Sequence, residues 1–290
     1  KIKKHGKSFN FAQYFIPRKH ACAIKELYEI CRLIDNIADC PKTDNTVKQN
    51  QLSHIQDLIL SHNDGDLVHL SNHHTIRKKT LCTLAIGAQY DLNIEQILTM
   101  ENLMEYCYHV AGTVGLMMCD LMNITDQKAR HHAIDLGIAM QLTNIARDVY
   151  KDAKIGRIYL PSEVVGKLHT EQLIKENQSV EPTLSNGIRH ILHQADQFYA
   201  SGFTGLRYIP YANRFGIYIA AKLYQAIGKK VLKNIPYQPH NHAYVPLWEK
   251  QLIALQCIIQ FIRKPSNLEA ETNYDTNQLY RNLTFYQDTP

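Results

Sequence analysis

The stretch from Gln141 to Asp152, QLTNIARDVYKD, is the part of this chain that most limits how it can fold. On a helix that advances about 100° per residue, its polar side chains share one narrow strip. That strip contains Gln141, Asn144, Asp148 and Asp152. An apolar strip lies directly beside it, formed by Ile138, Leu142, Ile145 and Val149. Two carboxylates four residues apart repel each other, by roughly 0.2–0.5 kcal/mol on an exposed helix. A metal ion bound between them would remove that conflict, so the stretch indicates a site as well as a helix.

A second stretch, LYEICRLIDNIAD at residues 27–39, repeats this arrangement. On a helical wheel its polar side chains lie within about 60° of one another. They are Tyr28, Arg32, Asp35 and Asp39, and an apolar face adjoins them. A single acidic pair on a helix is most often a solvent-exposed face. Two pairs that each border a core face indicate a shared site. Carboxylate oxygens suit Mg²⁺, which often bridges protein carboxylates to phosphate oxygens. We therefore expect a diphosphate substrate held by Mg²⁺ beside an apolar cavity.

The remaining pattern predicts an all-α fold. The 10 prolines fall between periodic stretches, and alternating strand patterns are scarce. We predict one helical domain over residues 1–264, with the two acidic motifs facing each other across a central apolar cavity, as in metal sites of helical bundles. Residues 265–290 are polar and are expected to form a loosely attached tail. The expected helices are 18–39, 47–60, 74–90, 94–119, 128–151, 181–202, 213–234 and 247–263.

Composition excludes several classes of function. The net charge of +5 is carried by scattered basic residues, so nucleic acid is not expected as a partner, although anionic substrates or an anionic membrane would suit such a surface. The 7 cysteines lack CxxC spacing, which favours reduced thiols over disulfides or a zinc site. No apolar run approaches the roughly 20 residues of a membrane helix, and no secretion signal is visible. The expected location is cytoplasmic or peripheral on a membrane, and the oligomeric state stays open.

Taken together, these motifs resemble those of the squalene/phytoene synthase family, the head-to-head prenyl transferases. The resemblance runs from His5 to about Val245. The segments that carry it are KHGKSF, LYEICRLIDNIAD, YCYHVAGTVG, QLTNIARDVYKDAKIGRIYLP and, weakly, AAKLY. The AGTVG segment is more typical of phytoene-type members than of eukaryotic squalene synthases. Small residues at that spacing are also explained by close helix packing.

The resemblance implies an isoprenoid-synthase-type helical bundle and a Mg²⁺-dependent reaction, with Mn²⁺ as the other candidate metal. Two geranylgeranyl or farnesyl diphosphates would condense through a cyclopropylcarbinyl diphosphate to phytoene or dehydrosqualene. The implied metal ligands are Asp35, Asp39, Asn144, Asp148 and Asp152. Tyr28 and Arg32 would join the four aspartates as catalytic residues. The implied substrate-binding residues are His5, Ser8, Tyr106, Tyr108, Gln141, Asn144, Arg147, Arg157, Tyr159 and Tyr224.

Three positions depart from the family's pattern. Asn36 stands where many relatives have a second consecutive Asp, and we expect changed outer contacts with metal binding retained. Ala146 replaces a usual Leu, which would enlarge the cavity floor or shift a core contact. His242 takes the place of a common Arg, which puts one diphosphate contact in doubt.

Two other functions stay open. One is a squalene synthase that uses NADPH, although NADPH is not expected because the chain lacks a Gly-rich dinucleotide motif and carries AGTVG. The other is a catalytically silent homologue that acts as an assembly or binding protein. Such a protein would be marked by loss of the acidic pairs, and both pairs are intact here.

Overall fold

The computed structural model describes residues 11, 15–61, 65–175, 180–236, 243–263 and 283–287 of the 290-residue chain. His5, Ser8 and His242 lie outside these residues, so the predictions made for them stay predictions.

Within the described residues the fold is helical, and the predicted all-α class is confirmed. The α-helices, in chain order, are α1 Arg18–Ala38, α2 Asn45–Ser61, α3 Lys78–Tyr90, α4 Met100–Cys107, α5 Thr113–Leu121, α6 Gln127–Ala153, α7 Ser162–Val165, α8 Thr170–Ile174, α9 Glu181–Gly205, α10 Tyr211–Lys233, α11 Leu247–Arg263 and α12 Thr284–Gln287. A π-helical turn, Tyr108–Gly112, joins α4 to α5, and 3₁₀ turns occupy Ser71–His73 and Leu206–Tyr208.

One predicted helix begins later than expected. The helix predicted to start at residue 74 begins at Lys78, because Thr75–Arg77 forms a short strand, β2. This strand pairs antiparallel with β1, Leu67–His69. β-Branched residues favour such pairing, and the side chain of Ile76 is fully buried beneath it.

The helix predicted over residues 94–119 is interrupted. Residues 94–99 form an irregular connection in which Gln96 bridges to Ile158. The chain then continues through α4, the π-helical turn and α5. Thr99 caps α4, because its side chain accepts a hydrogen bond from the backbone N–H of Asn102. π-Helical turns often occur at functional sites.

Helix α6 is the central element, packed against α5, α9 and α10. Asp126 caps it by accepting a hydrogen bond from the backbone N–H of Ala129 at 2.9 Å. Glycine lets its neighbours approach closely. A Cβ added at Gly115 would lie 2.2 Å from the Ala133 carbonyl oxygen, and one at Gly137 would lie 2.3 Å from that of Ala111. Close helix packing therefore accounts for the small residues of AGTVG.

Part of the predicted tail, residues 283–287, is attached more firmly than the sequence indicates. Residues 283–287, which we call the C-terminal anchor, contain two buried aromatic side chains, Phe285 and Tyr286. Both belong to the main hydrophobic core, together with residues of α6 and α9. The loose attachment expected for the tail therefore does not hold for this segment.

Among the described residues, no helix combines the length and the apolar character needed to cross a membrane.

Candidate active site

An apolar cavity of about 300 Å³ lies between α1, the π-helical turn, α5, α6, α9 and α10. Polar residues from three of these helices line it at one end: Tyr28 and Asp35 from α1, Gln141 and Asn144 from α6, and Tyr224 from α10. The apolar strip predicted beside the acidic face of α6 is buried, with Ile138 and Leu142 fully enclosed. Both acidic helices therefore contribute to a single cavity, as the wheel patterns predict.

On the α6 face, Asp148 is held by its own neighbour. Arg147 donates from Nε to Oδ1 at 2.8 Å and from Nη2 to Oδ2 at 2.6 Å, a two-pronged pair. Burial raises the pKa of Asp152 to about 8, and the nearby Asp148 carboxylate adds to the rise. Asp152 therefore keeps its proton near neutral pH unless a cation binds beside it.

Asn144 lies one turn before Asp148 on the same face. Its side-chain nitrogen donates to Gln141 Oε1 at 3.3 Å. Its side-chain oxygen is buried and accepts no hydrogen bond within the described part of the chain. Buried acceptors are nearly always paired. An unpaired one beside two carboxylates is a suitable position for a cation.

On the α1 face, burial raises the pKa of Asp35 to about 7, although Arg32 opposes the rise. The Arg32 Nη1 atom lies 3.6 Å from Asp35 Oδ2, and Nη2 donates to Asn36 Oδ1 at 3.1 Å. Asp39, just past the helix end, is more open, with 52% of its side chain exposed. Asn36 is exposed, so its changed contact is with Arg32 outside the cavity.

Arg157 joins the two acidic faces. It follows α6 in sequence, and its Nη1 donates to Asp39 Oδ1 at 2.7 Å while Nη2 donates to the Ala38 carbonyl at 3.0 Å. Nη1 also lies 3.8 Å from Asp91 Oδ2. The connection after the second motif is thus fixed to the end of the first.

Asp91 is a site residue that sequence reasoning missed. The Tyr159 hydroxyl donates to its Oδ1 at 2.6 Å, and Tyr106 stacks on the Tyr159 ring at 4.9 Å. Burial raises the pKa of Asp91, while Arg157 and Tyr159 oppose the rise. A single Asp after a helix is an ordinary turn residue, so its position carries no local signal. Only the fold brings it to Arg157.

The tyrosines divide into three settings. Tyr28 and Tyr224 line the cavity, and burial raises the pKa of each, so both hydroxyls stay protonated. Tyr106 and Tyr159 belong to the Asp91 network. Tyr108, implied as a substrate-binding residue, stacks on Phe285 with 4.3 Å between the ring centroids, and its role stays a prediction.

Ala146 is fully buried in the main core rather than in the cavity lining. The side chain at this position therefore affects a core contact and not the cavity floor.

The oxygen atoms at the mouth of the cavity fit a hard divalent cation such as Mg²⁺. Five carboxylates lie in this region: Asp35, Asp39, Asp91, Asp148 and Asp152. In the described part of the chain, no three Asp, Glu, His or Cys side chains converge closely enough to hold an ion alone. Mg²⁺ held here would complete its coordination with water and substrate phosphate oxygens, as it usually does.

Comparison with known proteins identifies the family to which this chain is similar. The profile of the squalene/phytoene synthase family matches residues 2–249. The 15-cis-phytoene synthase of Enterobacter agglomerans is 38% identical over 151 residues, which are 51% of this chain and 50% of that protein. The phytoene synthase of Rhodobacter capsulatus is 29% identical over 263 residues, covering 85% of this chain and 77% of its own length. The chain thus spans about half the length of some curated relatives that it matches.

Solved structures agree on the fold. A crystal structure of a dehydrosqualene synthase with a bound ligand superimposes with a TM-score of 0.75 at 28% identity, covering 90% of this chain and 94% of that one. A squalene synthase from Alicyclobacillus acidocaldarius gives a TM-score of 0.63 at 17% identity, covering 82% of this chain and 92% of its own, and is similar in fold alone.

Proposed function

The chain belongs to the squalene/phytoene synthase family, and we propose that it is a prenyl transferase that condenses two allylic prenyl diphosphates head to head. The candidate substrates are geranylgeranyl and farnesyl diphosphate, and the products would be phytoene or dehydrosqualene. One observation carries the proposal: Asp35 of α1 and Gln141 and Asn144 of α6 line one apolar cavity, and Asp152 of α6 lies close enough to Asp39 to interact with it electrostatically.

The mouth supplies what two diphosphates need. Asp35, Asp39, Asp148, Asp152 and the free oxygen of Asn144 are the proposed metal ligands. Mg²⁺ bound there would neutralise the diphosphate oxygens and make diphosphate a better leaving group. Arg147 holds Asp148 in place and Arg157 holds Asp39. Both guanidinium groups would also donate hydrogen bonds to phosphate oxygens of the substrate.

The proposed chemistry proceeds through carbocations. Loss of diphosphate from one substrate leaves an allylic cation, which the double bond of the second substrate attacks. Loss of a proton closes a cyclopropylcarbinyl diphosphate. Its ionisation rearranges the ring, and loss of a second proton gives a conjugated triene. Water would quench each cation, so an apolar cavity is required.

The cavity wall supports such cations in two ways. Most of its lining side chains are apolar and hold water away. Tyr28 and Tyr224 present ring faces and neutral hydroxyls, and aromatic faces attract cations. Tyr28 lies one turn before Arg32 on the acidic face of α1 and also lines the cavity.

Contact with a membrane surface is a further part of the proposal, since both substrates and product are lipids. Helix α11 exposes an apolar stripe at helical spacing, formed by Trp248, Leu252, Leu255 and Ile259. Lys229 and Lys233 of α10 lie near this helix. An apolar stripe beside basic side chains suits peripheral binding to an anionic bilayer.

The deciding test uses the purified chain with Mg²⁺ and labelled geranylgeranyl or farnesyl diphosphate. Diphosphate release and a C40 or C30 hydrocarbon are the expected results, and EDTA should stop both. Products are compared with and without NADPH. Squalene formed only with NADPH would favour the squalene synthase alternative. Consumption of neither substrate with Mg²⁺ or Mn²⁺ would contradict the enzyme and favour a silent homologue.

A further inference from the structure

A chain of buried polar contacts runs from the C-terminal anchor to the cavity wall. The Tyr286 hydroxyl donates to Asp135 Oδ1 at 2.5 Å. Asp135, on α6, is fully buried, and the Ser201 hydroxyl donates to its other oxygen. His132 Nδ1 lies 2.8 Å from Ser201 Oγ, and His132 lines the cavity. Four side chains thus connect residue 286 to the site.

These contacts fix the orientation of the His132 ring. A hydroxyl carries a single hydrogen, and that of Ser201 is given to Asp135. His132 Nδ1 must therefore donate to Ser201, which sets the tautomer of the ring. The ring also stacks on Tyr208, 6.1 Å between centroids. A buried carboxylate is costly unless hydroxyl donors satisfy it, so loss of the Tyr286 donor would force Ser201 and His132 to rearrange.

A second contact joins the anchor to the same wall. Phe285 stacks on Tyr108 with the rings 4.3 Å apart and 11° from parallel. Tyr108 is the first residue of the π-helical turn, and Val110 and Ala111 of that turn line the cavity. The anchor therefore supports two neighbouring parts of the wall.

The position of His132 along α6 matches the end of a long prenyl chain. It lies 16 residues before Asp148, which is about 24 Å at about 1.5 Å per residue. At about 1.2 Å per bond, an extended chain of four isoprene units is about 19 Å long and one of three units about 14 Å. The phosphate and metal at the mouth add about 5 Å, at about 2 Å per metal–oxygen bond. Only the longer chain reaches His132.

We propose that the C-terminal anchor positions His132 at the far wall of the cavity, where His132 contacts the last isoprene unit of a C20 substrate. The inference rests on the proposed function, because it concerns the chain that this cavity would hold. It assigns chain-length preference to a segment that lies outside both acidic motifs.

The test is Tyr286→Phe in the full chain. The value of kcat/KM for geranylgeranyl diphosphate should fall about 10-fold, the size of effect that a lost apolar contact has on specificity. The value for farnesyl diphosphate should stay within about twofold, because that chain ends short of His132. Ser201→Ala, which breaks the connection one step nearer the cavity, should give the same change in ratio.

Tyr199→Phe is the matched control. Its hydroxyl is also buried, 3.0 Å from Thr143 Oγ1, but Thr143 is a core residue of α6 outside the cavity lining. Both Tyr→Phe variants should lower the Tm by a few degrees, and only Tyr286→Phe should change the substrate ratio. Equal changes in both variants, or an unchanged ratio in Tyr286→Phe, would overturn the proposal.

Binding of unreactive thiodiphosphate analogues with Mg²⁺ gives the same comparison without turnover. Tyr286→Phe should weaken binding of the geranylgeranyl analogue and leave that of the farnesyl analogue within about twofold. If the parent protein binds both analogues but consumes neither diphosphate, the proposed activity is wrong. The chain-length inference is then still tested by the ratio of the affinities for the two analogues. An unchanged binding ratio would overturn it.

Discussion

The two acidic faces carry the same types of residue, aspartate and arginine, in different surroundings. Each face has one carboxylate that accepts a close hydrogen bond from an arginine and one whose pKa is raised by burial. On α6 the paired carboxylate is Asp148, held by its sequence neighbour Arg147. On α1 it is Asp39, held by Arg157 from beyond α6. The other members, Asp152 and Asp35, have pKa values of about 8 and about 7, and Arg32 Nη1 lies 3.6 Å from Asp35 Oδ2.

The difference lies in where the arginine comes from. The α6 pair is local, so the second face is complete within one helix. The α1 pair is formed across the fold, and Arg157 also approaches Asp91. The first face therefore depends on tertiary structure that the second does not need. Exposure differs too, since 52% of the Asp39 side chain is open to solvent and 11% of Asp148.

Replacing the enclosed carboxylate should have the largest effect. We expect Asp148→Asn to lower kcat about 10³-fold and Asp39→Asn about 10²-fold, because a charge acts more strongly where water is scarce. Steady-state kinetics at saturating Mg²⁺ measures both. The Tm of each variant is the control for folding. Equal losses would show that enclosure does not distinguish the two faces, and unfolding of Asp148→Asn would indicate a structural role.

Replacing Arg157 and replacing Arg147 should have different effects on the stability of the fold as well as on activity. Arg157→Gln leaves Asp91 enclosed without its cation, which costs about 3 kcal/mol for a buried pair, and the Tm should fall by about 6–12 °C. Arg147→Gln also leaves an enclosed carboxylate, since 11% of the Asp148 side chain is exposed, but Arg147 itself is more open than Arg157, with 22% against 8% of its side chain exposed, so water can replace its guanidinium. Its cost should be smaller, about 1–2 kcal/mol. Thermal unfolding of both variants without metal gives the comparison, and similar Tm values would contradict it.

The sequence predicts the local parts of this site and not the cross-chain parts. Helical periodicity places Asp148 and Asn144 on one strip beside a core face, and the structure confirms that geometry. The same pattern predicts Asp35 on α1. It says nothing of Asp91, because that residue acquires its role only when α3 ends beside Arg157.

The ends of the predicted helices show the same limit. The bounds that the sequence predicts for α11 are the observed ones, since its apolar pattern is continuous. β2 was missed because three residues of strand pairing override an adjoining helical pattern. The buried Tyr286 was missed because its partner, Asp135, is 151 residues away in sequence.

The raised pKa of Asp152 predicts a pH dependence of stability. Its pKa of about 8 in the folded state exceeds the usual value for an aspartate, about 3.9, so between these pH values the folded state binds more protons than the unfolded state. The free energy of unfolding of the metal-free protein therefore declines as pH rises from about 4 to about 8, and this contribution levels off above.

Asp152→Asn should remove that slope. At pH 8 the metal-free variant should unfold about 2–4 °C above the parent, a gain of about 1 kcal/mol after allowance for solvent screening. At about pH 4, where the carboxyl is largely protonated in both the folded and the unfolded state, the two should agree. The same variant should bind Mg²⁺ more weakly, so the gain in stability accompanies a loss of turnover. A variant less stable than the parent at pH 8 would show that neighbouring groups already stabilise the ionised Asp152 carboxylate in the absence of metal.

The smallest effect is expected at Asn36, where the α1 face departs from the family's pattern. Asn36 points about 100° away from Asp35 on the helix, and it is exposed and bonded to Arg32. A carboxylate in its place would pair with Arg32 in solvent, where such pairs contribute about 0–1 kcal/mol. We expect Asn36→Asp to change kcat less than twofold and the Mg²⁺ concentration for half-maximal activity by no more than about threefold, an effect that 0.5 M salt should erase. Asp35→Asn is the contrasting variant on the same face, since Asp35 lines the cavity. A change of tenfold or more in kcat or in the Mg²⁺ requirement of Asn36→Asp would place residue 36 within reach of the metal. The α1 face would then resemble the α6 face less closely than the two arginine pairs indicate.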